Sequence, residues 1–151
     1  MQQQALSTII AWVRLEQAFD NLTIELKKRY GLTRLQLSVL QILRERPQLP
    51  LAALRKALVM HPATLGQAID KLRQRELVTV RTDQEDRRSR IVALTDAGFA
   101  LIADAPLTGP VRLRDITVEP VRLERLSIAL DDAIDLFGIT RWAPGRREEA
   151  D

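Results

Sequence analysis

The chain has 151 residues, 46% of them hydrophobic but with only two Trp, one Tyr and three Phe, which suits one helical domain packed through Leu, Ile, Val and Ala. It contains no Cys and a single His, which excludes a disulfide framework, a thiol switch and a Cys/His metal centre. Net charge is only +3, yet the stretch from Lys71 to Arg90 holds seven basic and four acidic residues, an excess equal to that of the whole chain. A local basic stripe in a balanced chain is an electrostatic footprint for a polyanion. No nucleophile–base constellation and no phosphate-cradling glycine loop accompanies it, so neither an enzyme nor a cofactor is expected.

Residues 3–30 read as one helix. Leu6, Ile9, Ile10 and Val13 begin an apolar stripe that continues through Phe19, Leu22, Leu26 and Tyr30, and Gly31 supplies a left-handed stop. At ~1.5 Å per residue this helix is roughly 40 Å long. A small domain cannot cover that length, so part of the stripe is expected to pack on a second subunit. The apolar start, ALSTIIAWV, follows no basic region and runs at once into Arg14 and Glu16. Neither a signal peptide nor a membrane span is expected there, and a cytoplasmic location is.

Thr33 and Gln36 have the spacing of a capping box and open a helix through Leu37, Leu40 and Leu43 that ends near Pro47. A helix over 51–59 follows, with Leu51, Leu54 and Leu58 inward. His61 then precedes Pro62, which fits the first position of a helix running to about Arg75. With Leu65, Ala68, Ile69 and Leu72 inward, helical geometry turns Ala63, Thr64, Gln67, Asp70 and Lys71 outward. Val78 and Val80, then Val92 and Leu94, alternate with polar neighbours as in a half-buried hairpin. Its loop sets Asp83, Glu85 and Asp86 against Arg81, Arg87, Arg88 and Arg90.

Two short helices, a tight turn and a hairpin make a helix-turn-helix with a wing. Beyond it, Thr95 caps a helix carrying Ala97, Leu101 and Ile102, which Pro106, Gly109 and Pro110 break after about ten residues. A last helix near 119–137 carries Leu123, Leu126, Leu130, Ile134 and Phe137 on one face and is closed by Gly138. The expected fold is mainly α with a small β-wing. A winged helix-turn-helix core over about 32–98 is flanked by dimerisation regions at about 1–31 and 99–140, within one domain spanning 1–151.

The segment from Gly31 to Gly98 resembles the MarR family of bacterial transcription regulators. The resemblance rests on Asp83-x-x-Asp86-Arg87-Arg88 followed by Val92-x-Leu94-Thr95-x-x-Gly98, with Gly31-Leu32-Thr33 and the run Leu65 to Leu72 in register. Departures are Glu76, where the family usually has Gly, Gly66 and Gln67 in place of Thr and Arg, His61 in place of a capping Ser, and the broken helix behind the wing. The resemblance implies a homodimer joined through helices from both termini, double-stranded DNA as partner and, in many members, a small aromatic effector. It also implies that Arg88 lies at the wing tip and enters the minor groove, where narrow A·T tracts attract Arg.

Residue chemistry on that frame assigns Ala63 and Thr64 to thymine methyl contact and Gln67 to adenine. Lys71 and Arg73 suit phosphate, and Arg81, Arg87 and Arg90 join Arg88 in the DNA-binding set. Asp70 is expected to pair with Arg88 or a neighbour, and Asp86 to brace the wing by holding Arg81 or Arg90. His61 can cap its helix or touch a phosphate. An effector pocket is expected where the first two helices meet the helix after the wing, with Trp12, Tyr30 and Arg34 as candidate lining. The leading expectation is a homodimeric repressor of a pseudo-palindromic operator, released by a small molecule. The alternative is a winged-helix protein-interaction module that does not read DNA.

Overall fold

A computed structural model describes residues 1–58 and 62–145. The chain forms two compact units, 1–112 and 113–151.

The first unit begins with α1 (Gln2–Tyr30), whose end is set by Gly31 at φ 65°, with the Leu32 amide turned back to the Leu26 carbonyl at 3.3 Å. Only the last turns of α1 enter the core. Leu26 is fully buried and Leu22 and Tyr30 pack beside it, whereas Leu6, Ile9 and Ile10 keep 57%, 55% and 52% of their surface.

The centre of the core is α2 (Arg34–Glu45). Thr33 and Gln36 close the capping box, the Gln36 amide donating to Thr33 Oγ1 at 3.1 Å and the Thr33 amide to Gln36 Oε1 at 2.9 Å. Leu37, Val39, Leu40, Ile42 and Leu43 are all buried, so this helix is covered on most sides. Around it pack α3 (Leu51–Leu58), which buries Leu54, and α4 (Pro62–Gln74), which buries Leu65, Ala68, Ile69 and Leu72.

The sequence reading treats residues 48–50 as a connection, but they form β1 (Gln48–Pro50), the edge of a three-stranded antiparallel sheet. Its neighbour is β3 (Arg90–Leu94), which pairs on its other side with β2 (Val78–Thr82). Leu49 lies opposite Val92, and Val92 opposite Val80, so one apolar row crosses the sheet. Pro50 is tolerated because an edge strand has amides that need no ladder partner. A three-residue strand ending in proline is too short for alternation to reveal it.

The turn between α4 and β2 is a Schellman motif. Glu76 N–H donates to Arg73 O at 2.9 Å and Leu77 N–H to Leu72 O at 3.0 Å, with Glu76 at φ 58°. This is the position where the family usually places Gly, and here the side chain is carried in the left-handed region. After the wing, Thr95 caps α5 (Asp96–Asp104) by accepting from Gly98 N at 3.0 Å while its hydroxyl donates to Glu76 O at 2.7 Å. Thr95 N–H donates to Leu77 O at 3.1 Å. A Cβ on Gly98 would collide with that same Leu77 carbonyl and with the Leu94 side chain. The helix stops at residue 104, as expected from the Pro and Gly residues beyond it, and a 3₁₀ turn, Pro110–Arg114, joins the two units.

The second unit contains α6 (Pro120–Leu136), with proline in its first turn. Gly138 at φ 70° closes it, the Ile139 amide reaching Ile134 O at 3.1 Å. A 3₁₀ turn, Thr140–Trp142, follows. Leu126, Leu130 and Phe137 stay exposed, while Leu123 and Ile134 are half-buried.

Two substitutions test the junction behind the wing. Gly98→Ala is expected to lower stability by about 2 kcal/mol, because its methyl must displace a backbone carbonyl. Glu76→Gly is expected to raise it by about 1 kcal/mol by relieving left-handed strain. Urea unfolding of both variants beside the parent chain measures the two shifts.

Candidate nucleic-acid interface

Burial of Leu65, Ala68, Ile69 and Leu72 fixes the rotation of α4 about its axis. Ala63, Thr64, Gln67, Asp70 and Lys71 are all turned away from the core in consequence, together with Arg73. This face combines small and amide-bearing residues with cationic ones toward its end. Such a composition suits base edges at the leading turn and phosphates behind it.

The wing supplies the second set. Arg81, Arg87, Arg88 and Arg90 are all exposed. The loop is held by backbone bonds, from Asp83 N to Ser89 O and from Ser89 N to Asp86 O, both at 2.9 Å. Asp83 Oδ1 accepts from Glu85 N and Asp86 Oδ1 from Arg88 N, each at 3.0 Å. Asp86 therefore steadies the tip through the main chain and not, as expected, by holding Arg81 or Arg90. A short carboxylate two residues ahead of an amide closes an Asx turn with little loss of side-chain freedom. Arg81 is held instead by Gln48 Oε1 at 3.3 Å, an interaction that depends on β1.

Asp70 also departs from expectation. Its ion pair is with Arg73 at 3.8 Å, one turn further along the same helix, rather than with Arg88. Helical geometry brings residues three apart into contact automatically, and both side chains remain more than half exposed, so the pair is weak. Asp70 does face the wing, toward the strand ends that adjoin the loop. A cleft of about 360 Å³ between α4 and the sheet is lined by Gly66, Asp70, Arg73, Arg81 and Arg90, among others. Sequence reading places these residues in two separate groups, and no periodicity signals that they share one cleft.

Arg75 is a further residue that sequence reading leaves without a role. Its guanidinium donates to Tyr30 O and Gly31 O, each at 2.9 Å, so the end of α4 caps the last carbonyls of α1. The signal is a basic residue at a helix end, too common to be informative alone.

Of the residues considered for an effector, Tyr30 donates its hydroxyl to Asp104 O at 3.0 Å, and Arg34 lies over the Phe19 ring at 4.6 Å. Trp12 is in the other half of α1, roughly 27 Å from Tyr30 along the axis. The three are thus not gathered into one pocket within the described residues of this chain. His61 lies outside the described residues. Among those described, no group of three or more metal-ligating side chains occurs, and no helix is long and apolar enough to cross a membrane.

Comparison with known proteins agrees with this geometry. Residues 32–89 match the model of the MarR family. The chain is 39% identical over 71 residues to the HTH-type transcriptional repressor NicR of Pseudomonas putida, a match spanning 47% of this chain and 45% of that protein. The chain thus matches less than half the length of that relative. Among solved structures, a MepR-like protein complexed with pseudoligands is 25% identical, with a TM-score of 0.61 over 90% of this chain and 94% of that one. BpsR of Bordetella bronchiseptica is 26% identical, with a TM-score of 0.55 over 80% of this chain and 90% of that one. With a three-stranded wing and a capped helix-turn-helix, the chain has a MarR-like winged-helix fold, and the family match covers the helix-turn-helix and the wing as far as residue 89.

Proposed function

We propose that the protein is a homodimeric, sequence-specific DNA-binding repressor of a pseudo-palindromic operator, released by a small aromatic ligand. The observation that carries the reading is the outward set on α4 beside a basic wing with a stiffly hydrogen-bonded tip. In this reading Ala63, Thr64 and Gln67 meet base edges in the major groove, and Lys71 and Arg73 meet phosphates. Arg88, with Arg87 beside it, enters the minor groove, while Arg81 and Arg90 attract the intervening backbone. Dimerisation is supported by the uncovered apolar stripe of α1 and, separately, by the exposed Leu126, Leu130 and Phe137 of α6. Two subunits related by a two-fold axis present their recognition helices to half-sites about one helical turn apart.

The effector part rests on family likeness. BpsR is described as regulated in its DNA binding by 6-hydroxynicotinic acid, so aromatic carboxylic acids of that kind are the first class to test. Such a ligand releases DNA only by binding more tightly to a dimer whose recognition helices are wrongly spaced.

Arg88→Ala is expected to weaken operator binding about tenfold and to flatten the salt dependence by ~0.9 in slope for each phosphate that the variant leaves unneutralised. Fluorescence anisotropy across a salt series, on genomic DNA that co-purifies with the protein and on random duplex, reads both quantities. Salt-independent affinity would defeat the DNA reading and favour a winged-helix protein-interaction module. Ile10→Glu is expected to halve the mass seen by light scattering and to abolish operator binding, because it places a charge in the proposed dimer interface.

A further inference from the structure

Three helices end at one place. The final carbonyls of α1, those of Tyr30 and Gly31, each accept at 2.9 Å from the guanidinium of Arg75, the residue that follows the last turn of α4. The Tyr30 hydroxyl donates at 3.0 Å to the carbonyl of Asp104, the last residue of α5. Helix C-termini carry partial negative charge, so their meeting favours a cation, and Arg75 lies among them. Otherwise α1 lies chiefly against α2, and α4 against α2 and β2. The Arg75 bridge is thus a direct tie between two helices that mainly share an intermediary.

The bridge is open to solvent, where hydrogen bonds add little to stability. What it supplies is direction. A planar guanidinium donating to two successive carbonyls fixes both distance and angle, which a single ammonium cannot do. Both terminal nitrogens are engaged within the chain, so they are not offered to phosphate. The helices they join are those that the proposed dimer and DNA complex, on which this inference rests, must keep in register. The first half of α1 bears the uncovered apolar stripe, and α4 bears the outward Ala63, Thr64 and Gln67.

We infer that Arg75 is a positioning residue for DNA binding, which transmits the orientation of α1 in the dimer to α4 without itself touching DNA. The chain has no Cys, so Gln67→Cys gives one spin-labelling site on α4 of each subunit. The label-to-label distance is measured without DNA in the parent chain, Arg75→Ala and Arg75→Lys. Binding of the unlabelled chains to co-purifying genomic DNA is measured over a salt series well below their melting temperatures. Arg75→Ala is expected to stay dimeric, to broaden the distance distribution and to bind about tenfold more weakly with an unchanged salt slope. Arg75→Lys is expected to fall between, and because it keeps the cation it tests the geometry even where Arg75→Ala does not fold. A parent-like distance distribution and affinity in both variants, with only a lower melting temperature, makes Arg75 a plain helix cap and overturns the inference. A salt slope flatter by ~0.9 makes it a phosphate contact and overturns the inference as well. A parent chain that is monomeric, or that binds no duplex at any salt, overturns the reading beneath it.

Discussion

The wing is joined to α4 by a small hydrogen-bonded junction, and the proposed interface depends on it. The Leu77 carbonyl accepts from Thr95 N–H, the Thr95 hydroxyl donates to Glu76 O, and the same hydroxyl oxygen accepts from Gly98 N. Gly98 leaves room for the Leu77 carbonyl where any Cβ would collide with it. The chain thus leaves α4, makes the hairpin and returns to within a few ångströms of its starting point. Closing the hairpin at its base fixes where its tip stands relative to α4. The proposed two-groove reading needs that relation to be rigid, because a displacement of an ångström or two at the base is magnified at the tip.

A second connection runs from the end of α4 to the long first helix. Arg75 caps the final carbonyls of α1, and Tyr30 of α1 donates to the end of α5 at Asp104. The last turn of α1 is therefore bonded to the elements on both sides of the wing, while its first half keeps an uncovered apolar stripe. In the proposed dimer, a helix anchored at one end and apolar at the other can couple the arrangement of the two subunits to the placement of α4. α2 packs beside the end of α1 with Leu37, Leu40 and Leu43 buried in the common core.

Charge in the wing is used in two ways. Asp83 and Asp86 accept from backbone amides of the loop, so their carboxylates order the tip. Arg87, Arg88 and Arg90 remain exposed, and Arg81 is steadied by an uncharged partner, Gln48. In the proposed DNA complex, ordering the loop in advance lowers the entropy cost of binding, while keeping cationic side chains available.

Much of this protein is legible in local sequence. Helical periodicity placed α1, α2, α4 and α6. Thr33 with Gln36, Thr95, Gly31 and Gly138 marked helix ends, and the inward set of α4 dictated which residues face outward. These features are legible because they depend on neighbours within a few residues, where spacing alone decides geometry. Long-range packing makes residues 48–50 an edge strand, sets Arg75 on the end of α1, pairs Asp70 along its own helix, and brings Gly66 and Asp70 into one cleft with Arg81 and Arg90. Each of these depends on how distant segments pack. A three-residue strand or a lone arginine carries no periodic signal, and an ion pair goes to whichever partner the backbone brings closest.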